Sequence, residues 1–295
     1  MEIRILTDDS GYVLNVISPE AASLAARLRT LGRPNWLCEE CVFDIPLAGD
    51  TGDALAFARD AARGSAADLN IVPRANRRKK LLAADMESTI IDCECVDELA
   101  AIAGVGREVA AITARTMKGE IDFAAALRER VALLKGLPLS ALERVYEEHV
   151  RFNAGAKALV ATMREHGAVT VLVSGGFAWF AERVARDAGF AAWSANVLLD
   201  DGEKLLGTVK EPILDREAKV RTLEGAAAQN GIAISDTLAV GDGANDVGMV
   251  QRAGLGVAWH AKPVLANAAA ARIDHADLTA LLYLQGYRSS EIASV

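Results

Sequence analysis

Three short apolar runs in this chain each stop abruptly on residues that do not belong in a core. Residues 81–84 read LLAA and end on Asp85; residues 169–173 read VTVLV and end on Ser174-Gly175-Gly176; residues 237–240 read TLAV and end on Gly241-Asp242-Gly243-Ala244-Asn245-Asp246. Runs that are apolar at every position suit parallel strands covered on both faces. Around them, stretches 156–166, 177–188, 215–228, 246–253 and 278–284 carry helical patterns, and further strands are expected near 193–199, 205–209 and 255–258. Strands alternating with helices predict a doubly wound α/β sheet, whose functional loops gather at the carboxyl edge of the strands. The three polar ends therefore converge.

A carboxylate just past a buried strand is costly unless a cation or a reaction uses it, which makes Asp85 the first candidate for chemistry. Glu87, two residues on, has the same sidedness if the chain stays extended. Two carboxyl groups in one small space suit a metal, or a nucleophile beside a general acid. Ser174 and its glycines would point a hydroxyl and backbone N–H groups at an anion. Gly241 and Gly243 permit a tight turn that holds Asp242 and Asp246 on one loop as oxygen ligands for a hard cation. Lys219, in the helical stretch 215–228, would balance the charge of a bound phosphate. Plainer roles exist for each: turn residues for Asp242 and Asp246, a helix cap for Ser174, surface charges for Glu94 and Arg130. His149, His166, His260 and His275 are scattered without ligand spacing.

Residues 1–72 read as a small α+β unit. Strands are expected near 3–5, 13–16 and 68–72, helices over 19–31 (opened by Ser18) and 50–62, and one long strand or a hairpin over 36–47. Residues 73–80 (PRANRRKK) carry five basic residues and read as a solvated linker. The core then spans 81–96 and 154–295. Between its two parts, 97–153 holds helical patterns at 96–115 (broken by Gly104 and Gly106), 123–134 and 140–149 (capped by Ser140). An all-helical insertion after the first strand is naturally a cap over the crevice, excluding water and gating access.

The chain has 295 residues, 52% of them hydrophobic, enough for one large domain and a small one. Its net charge of −8 argues against nucleic acid as a general partner. No apolar run reaches membrane-spanning length and no signal peptide is visible, so the expected compartment is the cytoplasm. Cys38/Cys41 and Cys93/Cys95 would suit a four-thiolate zinc site, but their settings, a strand-like pattern and an acid-rich loop, favour free thiols.

Taken together, these motifs resemble the haloacid-dehalogenase-like phosphatases, and within them the phosphoserine phosphatases, over roughly residues 81–287. The family's first motif, Asp-x-Asp-x-Thr/Val, is similar to Asp85-Met86-Glu87-Ser88-Thr89, with Glu87 in place of the second Asp. Its second resembles Ser174-Gly175-Gly176, its third Lys219 and its fourth the loop 241–246. Glu94, the cap segment from Met117-Lys118-Gly119 through Phe123, and Arg130 also match. Four motifs in order, with family-like spacings, are a specific signal.

The resemblance implies a Mg²⁺ ion held by Asp85, Asp242 and the backbone carbonyl of Glu87, with Asp246 a further candidate ligand. It implies that Asp85 attacks phosphorus to form an aspartyl-phosphate that water then hydrolyses. Ser174, the Gly175 N–H and Lys219 would hold the phosphoryl oxygens, Asn245 would help position them, and Glu87 would serve as general acid and then base. Glu94 would take the ammonium and Arg130 the carboxylate of O-phospho-L-serine, while Met117 and Phe123 close the apolar side of the lid. The products, L-serine and phosphate, would be those of the last step of serine biosynthesis. Glu87 is one methylene longer than the family's residue, so its carboxyl must fold back or sit about an ångström out of place, a shift able to cost roughly a hundredfold in rate; the expectation is that it still acts. The front unit resembles ACT-like regulatory domains, which implies an amino-acid ligand such as serine; a homodimerisation or packing module is the other expectation. Two alternatives remain for the whole chain: a phosphatase for another small monoester such as phosphohomoserine, or a catalytically silenced amino-acid-sensing protein.

Overall fold

The computed structural model describes residues 11–47 and 51–295; the expected strand near 3–5 and the start of the 50–62 helix lie outside them. The front unit runs β1 (Tyr12–Ile17), α1 (Ala21–Arg27), β2 (Asn35–Cys38), β3 (Val42–Leu47), α2 (Thr51–Ala61), β4 (Asp68–Pro73). Its antiparallel sheet has the order β2-β3-β1-β4, that of a split βαβ unit. The stretch 36–47 is a hairpin: Cys41 N–H donates to Cys38 O at 3.3 Å and Glu40 takes φ 61° at the turn. Leu14, Val16, Leu24, Leu28, Phe43 and Ile45 form the unit's own core. Helix α1 is shorter than expected, because the Ser18 hydroxyl accepts the Glu20 N–H at 3.0 Å and holds the first residues in a turn.

The core opens with β5 (Leu81–Ala84), followed by the helical insertion α3 (Cys95–Ala103), α4 (Gly106–Met117), α5 (Phe123–Ala132) and α6 (Ser140–Glu148). Then come α7 (Ala156–Glu165), β6 (Val169–Phe177), α8 (Ala178–Ala188), β7 (Ala192–Asn196) and the small hairpin β8 (Leu198–Asp200) and β9 (Leu205–Val209). The remainder is α9 (Arg216–Gln229), β10 (Thr237–Gly241), α10 (Val247–Arg252), β11 (Leu255–Trp259), α11 (Pro263–Ala266), β12 (Ala271–Ile273) and α12 (Ala280–Leu284). Six strands make one parallel sheet in the order β12-β11-β10-β5-β6-β7. Val240, Ala84 and Leu172 stand in one row across it. The residues that follow on β10 and β5, Gly241 and Asp85, thus emerge side by side, with Val173 and Ser174 next along. Among the described residues no helix is long and apolar enough to cross a membrane.

Several local expectations are corrected. Strand β6 continues through Ser174-Gly175-Gly176 to Phe177, and α8 starts only at Ala178. Ser174 is therefore no helix cap; its Oγ accepts the Gly176 N–H at 2.9 Å and shapes the strand end. The Ncap of α6 is Leu139, because the helix is entered by a turn in which Ala141 N–H reaches Pro138 O at 2.9 Å, and Ser140 is already helical. The break expected in the 96–115 pattern is present: two helices are separated where Gly104 takes φ 72°. Elements as short as α11 and β12 carry too few residues to show a period.

The segment 73–80 is exposed at Pro73, Arg74, Ala75, Asn76, Arg78 and Lys80, as a solvated linker would be, but Arg77 and Lys79 anchor it to the core. The Arg77 guanidinium holds Asp44 through both terminal nitrogens, at 2.5 and 2.9 Å, and donates to Leu284 O and Tyr283 O at 2.7 and 3.1 Å. Arg78 pairs with Glu291 and lies 4.1 Å over the Tyr287 ring, and Lys79 donates to Ser235 O at 2.7 Å. Next to this anchor, Asp68 accepts the backbone N–H groups of Asp274, His275 and Ala276, and Asn70 exchanges two hydrogen bonds with the backbone of Arg272. Side chains of β4 thus stand in for a neighbouring strand along the free edge of β12. Asp44 is 2% exposed, so Arg77→Met, which strips its cation, is expected to destabilise the protein by about 3–5 kcal/mol. A lower urea midpoint together with new proteolytic cleavage within 73–80 would check it.

Candidate active site

Three buried carboxylates and one buried ammonium meet at the ends of β5 and β10. Lys219 Nζ, delivered by α9, stands 2.7 Å from Asp85 Oδ1 and 2.6 Å from Asp246 Oδ1. The residues Asp85, Asp242, Asp246 and Lys219 are 4%, 7%, 0% and 1% exposed, so the cluster is shielded from water's dielectric. Burial works against the Lys219 charge, yet Asp246 and Asp85 hold its value above the usual one. Burial and the Asp246 charge push the Asp85 carboxyl well above the ordinary carboxylate range, against the pull of Lys219. One cation does not cancel three acids.

Carboxylate oxygens of Asp85, Asp242 and Asp246 lie within 4.8 Å of one another, and this is the only such group of His, Cys, Asp or Glu among the described residues. The two cysteine pairs form no common site, and all four thiols are free. Hard oxygen donors in excess negative charge fit a hard divalent cation. Asp246 is the most committed of the three, with Oδ1 on Lys219 and Oδ2 accepting the Gly243 N–H at 3.1 Å. Lys219 and the Met86 N–H both meet Asp85 at Oδ1, which leaves Oδ2 for a ligand. The loop depends on its glycines: a methyl group at 241 would stand 2.6 Å from Asp246 Cβ, and one at 243 would stand 2.5 Å from Asn245 Oδ1.

After Asp85 the chain turns rather than staying extended, with Ser88 at φ 54°. The turn sends the Ser88 hydroxyl to Glu94 Oε1 at 2.8 Å and Glu87 Oε1 to the Cys95 N–H at 2.8 Å. Burial, and then the Glu94 charge, raise the Glu87 carboxyl to about 7, a value suited to trading a proton at neutral pH. Burial also raises Glu94, opposed by the Ser88 hydroxyl and the Lys262 ammonium. Arg130, half-buried on α5, is lowered by burial and raised by the charges of Asp97, Glu87 and Glu94, so the cap guanidinium shares one mouth with these acids. Phe123, at the start of α5, closes over Gly175, where an added methyl would stand 3.1 Å from its Cζ. Asn245 is half-buried beside Asp246. Met117 ends α4, but its side chain lies outside the described residues.

Two polar residues of the site went unremarked in the sequence, and both stand at the ends of core strands. Asn196 closes β7: its Nδ2 donates to Gly175 O at 2.8 Å and Leu214 O at 3.2 Å, and its Oδ1 accepts the Leu214 N–H at 2.7 Å. It ties the Ser174 loop to the segment that leads, through the Asp215 cap, into α9 and Lys219. Lys262 follows β11, with its ammonium 3.2 Å from Asp242 Oδ2 and its backbone N–H on Asp242 O at 2.8 Å. The strand-end rule that picks out Asp85 reaches these two only weakly, since Asn196 follows a run holding Trp193 and Ser194 and Lys262 stands three residues beyond β11.

A parallel sheet with a helical insertion after its first strand, and an Asp–Lys–Asp cluster at its carboxyl edge, defines a hydrolase of one large class. The chain belongs to it: residues 82–251 match the family of haloacid dehalogenase-like hydrolases. More narrowly, the chain is 45% identical over 206 residues to the phosphoserine phosphatase of Archaeoglobus fulgidus, covering 70% of this chain and 60% of that protein. It is 46% identical over 200 residues to the phosphoserine phosphatase of Streptococcus thermophilus, covering 68% of this chain and 93% of that one. A solved structure, the probable phosphoserine phosphatase of Vibrio cholerae in unliganded form, superposes with a TM-score of 0.80 at 28% identity, covering 94% of this chain and 86% of that one.

Lys219→Met leaves the Asp85 and Asp246 carboxylates buried without their cation, at an expected cost of about 3–5 kcal/mol. An acid whose folded-state value exceeds its unfolded value opposes folding above the unfolded value and is relieved as pH falls through the folded one. The gap to wild type should therefore be wide near about pH 7.5 and narrower near about pH 5.5, as read by urea titration at both.

Proposed function

We propose that this chain is a Mg²⁺-dependent phosphatase that hydrolyses O-phospho-L-serine to L-serine and phosphate, the last step of serine biosynthesis, in the cytoplasm. The observation that carries this reading is the mouth of the site, where Arg130 feels the charges of Glu87 and Glu94 and the Glu94 carboxyl is held by Ser88, beside the buried Asp85 cluster. A ligand with an ammonium, a carboxylate and a phosphate finds an opposite charge for each. The names of the relatives point the same way.

In this reading Asp85 attacks phosphorus in line and becomes the aspartyl-phosphate, from which water later releases phosphate. Bound by Asp85, Asp242 and the Glu87 carbonyl, Mg²⁺ would cancel the repulsion between the phosphate dianion and the attacking carboxylate. Ser174, the Gly175 N–H and Lys219 hold the phosphoryl oxygens while charge redistributes, and Asn245 helps to position them. Glu87 gives its proton to the departing serine oxygen, then takes one from the water that attacks the aspartyl-phosphate. Glu94 binds the ammonium and Arg130 the carboxylate, and Phe123 and Met117 close the apolar side. The front unit is read as ACT-like on its strand order; an amino acid or a second copy of the chain are the two partners that such a unit would serve.

Phosphate release from O-phospho-L-serine, phosphothreonine and an aryl phosphate tests this directly. Turnover should prefer phosphoserine, vanish in EDTA, return with Mg²⁺, and be absent in Asp85→Asn. Arg130→Ala should raise KM for phosphoserine about 10–100-fold, the worth of one charged hydrogen bond, and leave the aryl phosphate unaffected. Activity on the aryl phosphate alone would overturn the substrate; silence on all three would overturn the phosphatase.

A further inference from the structure

Glu87 occupies a position where the resemblance leads one to expect the shorter Asp, and the structure has room and partners for the longer chain. Its Oε1 accepts the N–H of Cys95, the first residue of the nine-residue helix α3, one of the donors that a helix leaves without an internal partner. The Cys95 side chain is fully buried, and Cys93, this burial and the charge of the Glu87 carboxyl nearby raise its thiol. On the other side lies Gly176. A methyl group there would stand 2.9 Å from Glu87 Cδ and 3.0 Å from Oε1, and closer still to Oε2. Gly176 does not take a left-handed φ, so its backbone conformation is open to any residue; what its missing side chain supplies is space.

We propose that Gly176 and Cys95 are positioning residues that fit a glutamate to the acid/base role. The added methylene carries the carboxyl across to the N-terminus of α3, and the space above Gly176 accepts the oxygen that is not bound there. The angular freedom of a longer side chain is removed from both sides, so the carboxyl is held instead of drifting about an ångström, a distance worth roughly a hundredfold in rate. Cys95 acts through its backbone N–H. The inference rests on Glu87 being the acid/base, and the experiment separates the two.

Steady-state kinetics on phosphoserine with saturating Mg²⁺, alongside thermal melts, would compare five variants with wild type. Gly176→Ala is expected to lower kcat by about a hundredfold with KM and Tm little changed. Combining it with Glu87→Asp should recover at least about tenfold over Gly176→Ala alone, since the shorter side chain no longer meets the new methyl. Cys95→Pro removes the N–H at the first helical position, where proline is well accommodated, and should lower kcat; Cys95→Ser, which keeps the N–H, should stay within a few-fold of wild type. If Glu87→Gln keeps full turnover, the acid/base reading fails and the inference falls with it. If Glu87→Gln is inactive while the double variant is no faster than Gly176→Ala and Cys95→Pro matches wild type, Glu87 keeps its role and the positioning inference alone is overturned.

Discussion

A single buried ammonium organises this molecule. Lys219 lies between Asp85 and Asp246, which come from the ends of two adjacent strands, while Lys219 itself comes from a helix that follows a third. None of these groups is tolerable alone in a core, since an isolated buried charge costs several kcal/mol. Together they oblige β5, β10 and α9 to meet in one register. Three buried carboxylates against Lys219 within the cluster, with Lys262 on its more exposed rim, suit a hard cation rather than a closed internal salt bridge.

The strands flanking this cluster extend the same logic outward. Asn196 holds the Ser174 loop to the lead-in of α9, and Lys262 stands against Asp242 from the far side. Every core strand from β7 to β11 that borders the crevice thus contributes one polar residue at its carboxyl end, and the sheet sets the distances between them. The helical insertion adds Arg130 and Phe123 on α5, whose buried Leu127 and Val131 share one core with Leu82, Ala84 and Leu172 of the sheet.

How much of this was legible in the residues depended on length and contrast. Strands such as 81–84 and 237–240, apolar but for Thr237 and ending on Asp or Gly-Asp, announce both fold and site. Asn196 and Lys262 follow runs containing Trp and Ser or a less abrupt boundary, and so gave no comparable signal. The turn after Asp85 is not legible, because nothing in the letters reveals that Ser88 adopts a left-handed φ; its hydrogen bond to Glu94 supports that geometry. The anchoring of the basic stretch 73–80 has another source. Charge predicts solvation only when no buried partner awaits it, and the partner of Arg77, Asp44, lies more than thirty residues earlier in the chain.

The side chains of Asp68 and Asn70, by occupying the backbone of β12 and the loop behind it, give the catalytic sheet a boundary that it does not make for itself. A core produced without its front unit would not be a smaller copy of the same enzyme. The N–H groups of residues 272 and 274–276 would lose their acceptors, and the last strand would present an open edge to any chain nearby, an invitation to intermolecular pairing. Whatever else the front unit does, it keeps the catalytic sheet from growing.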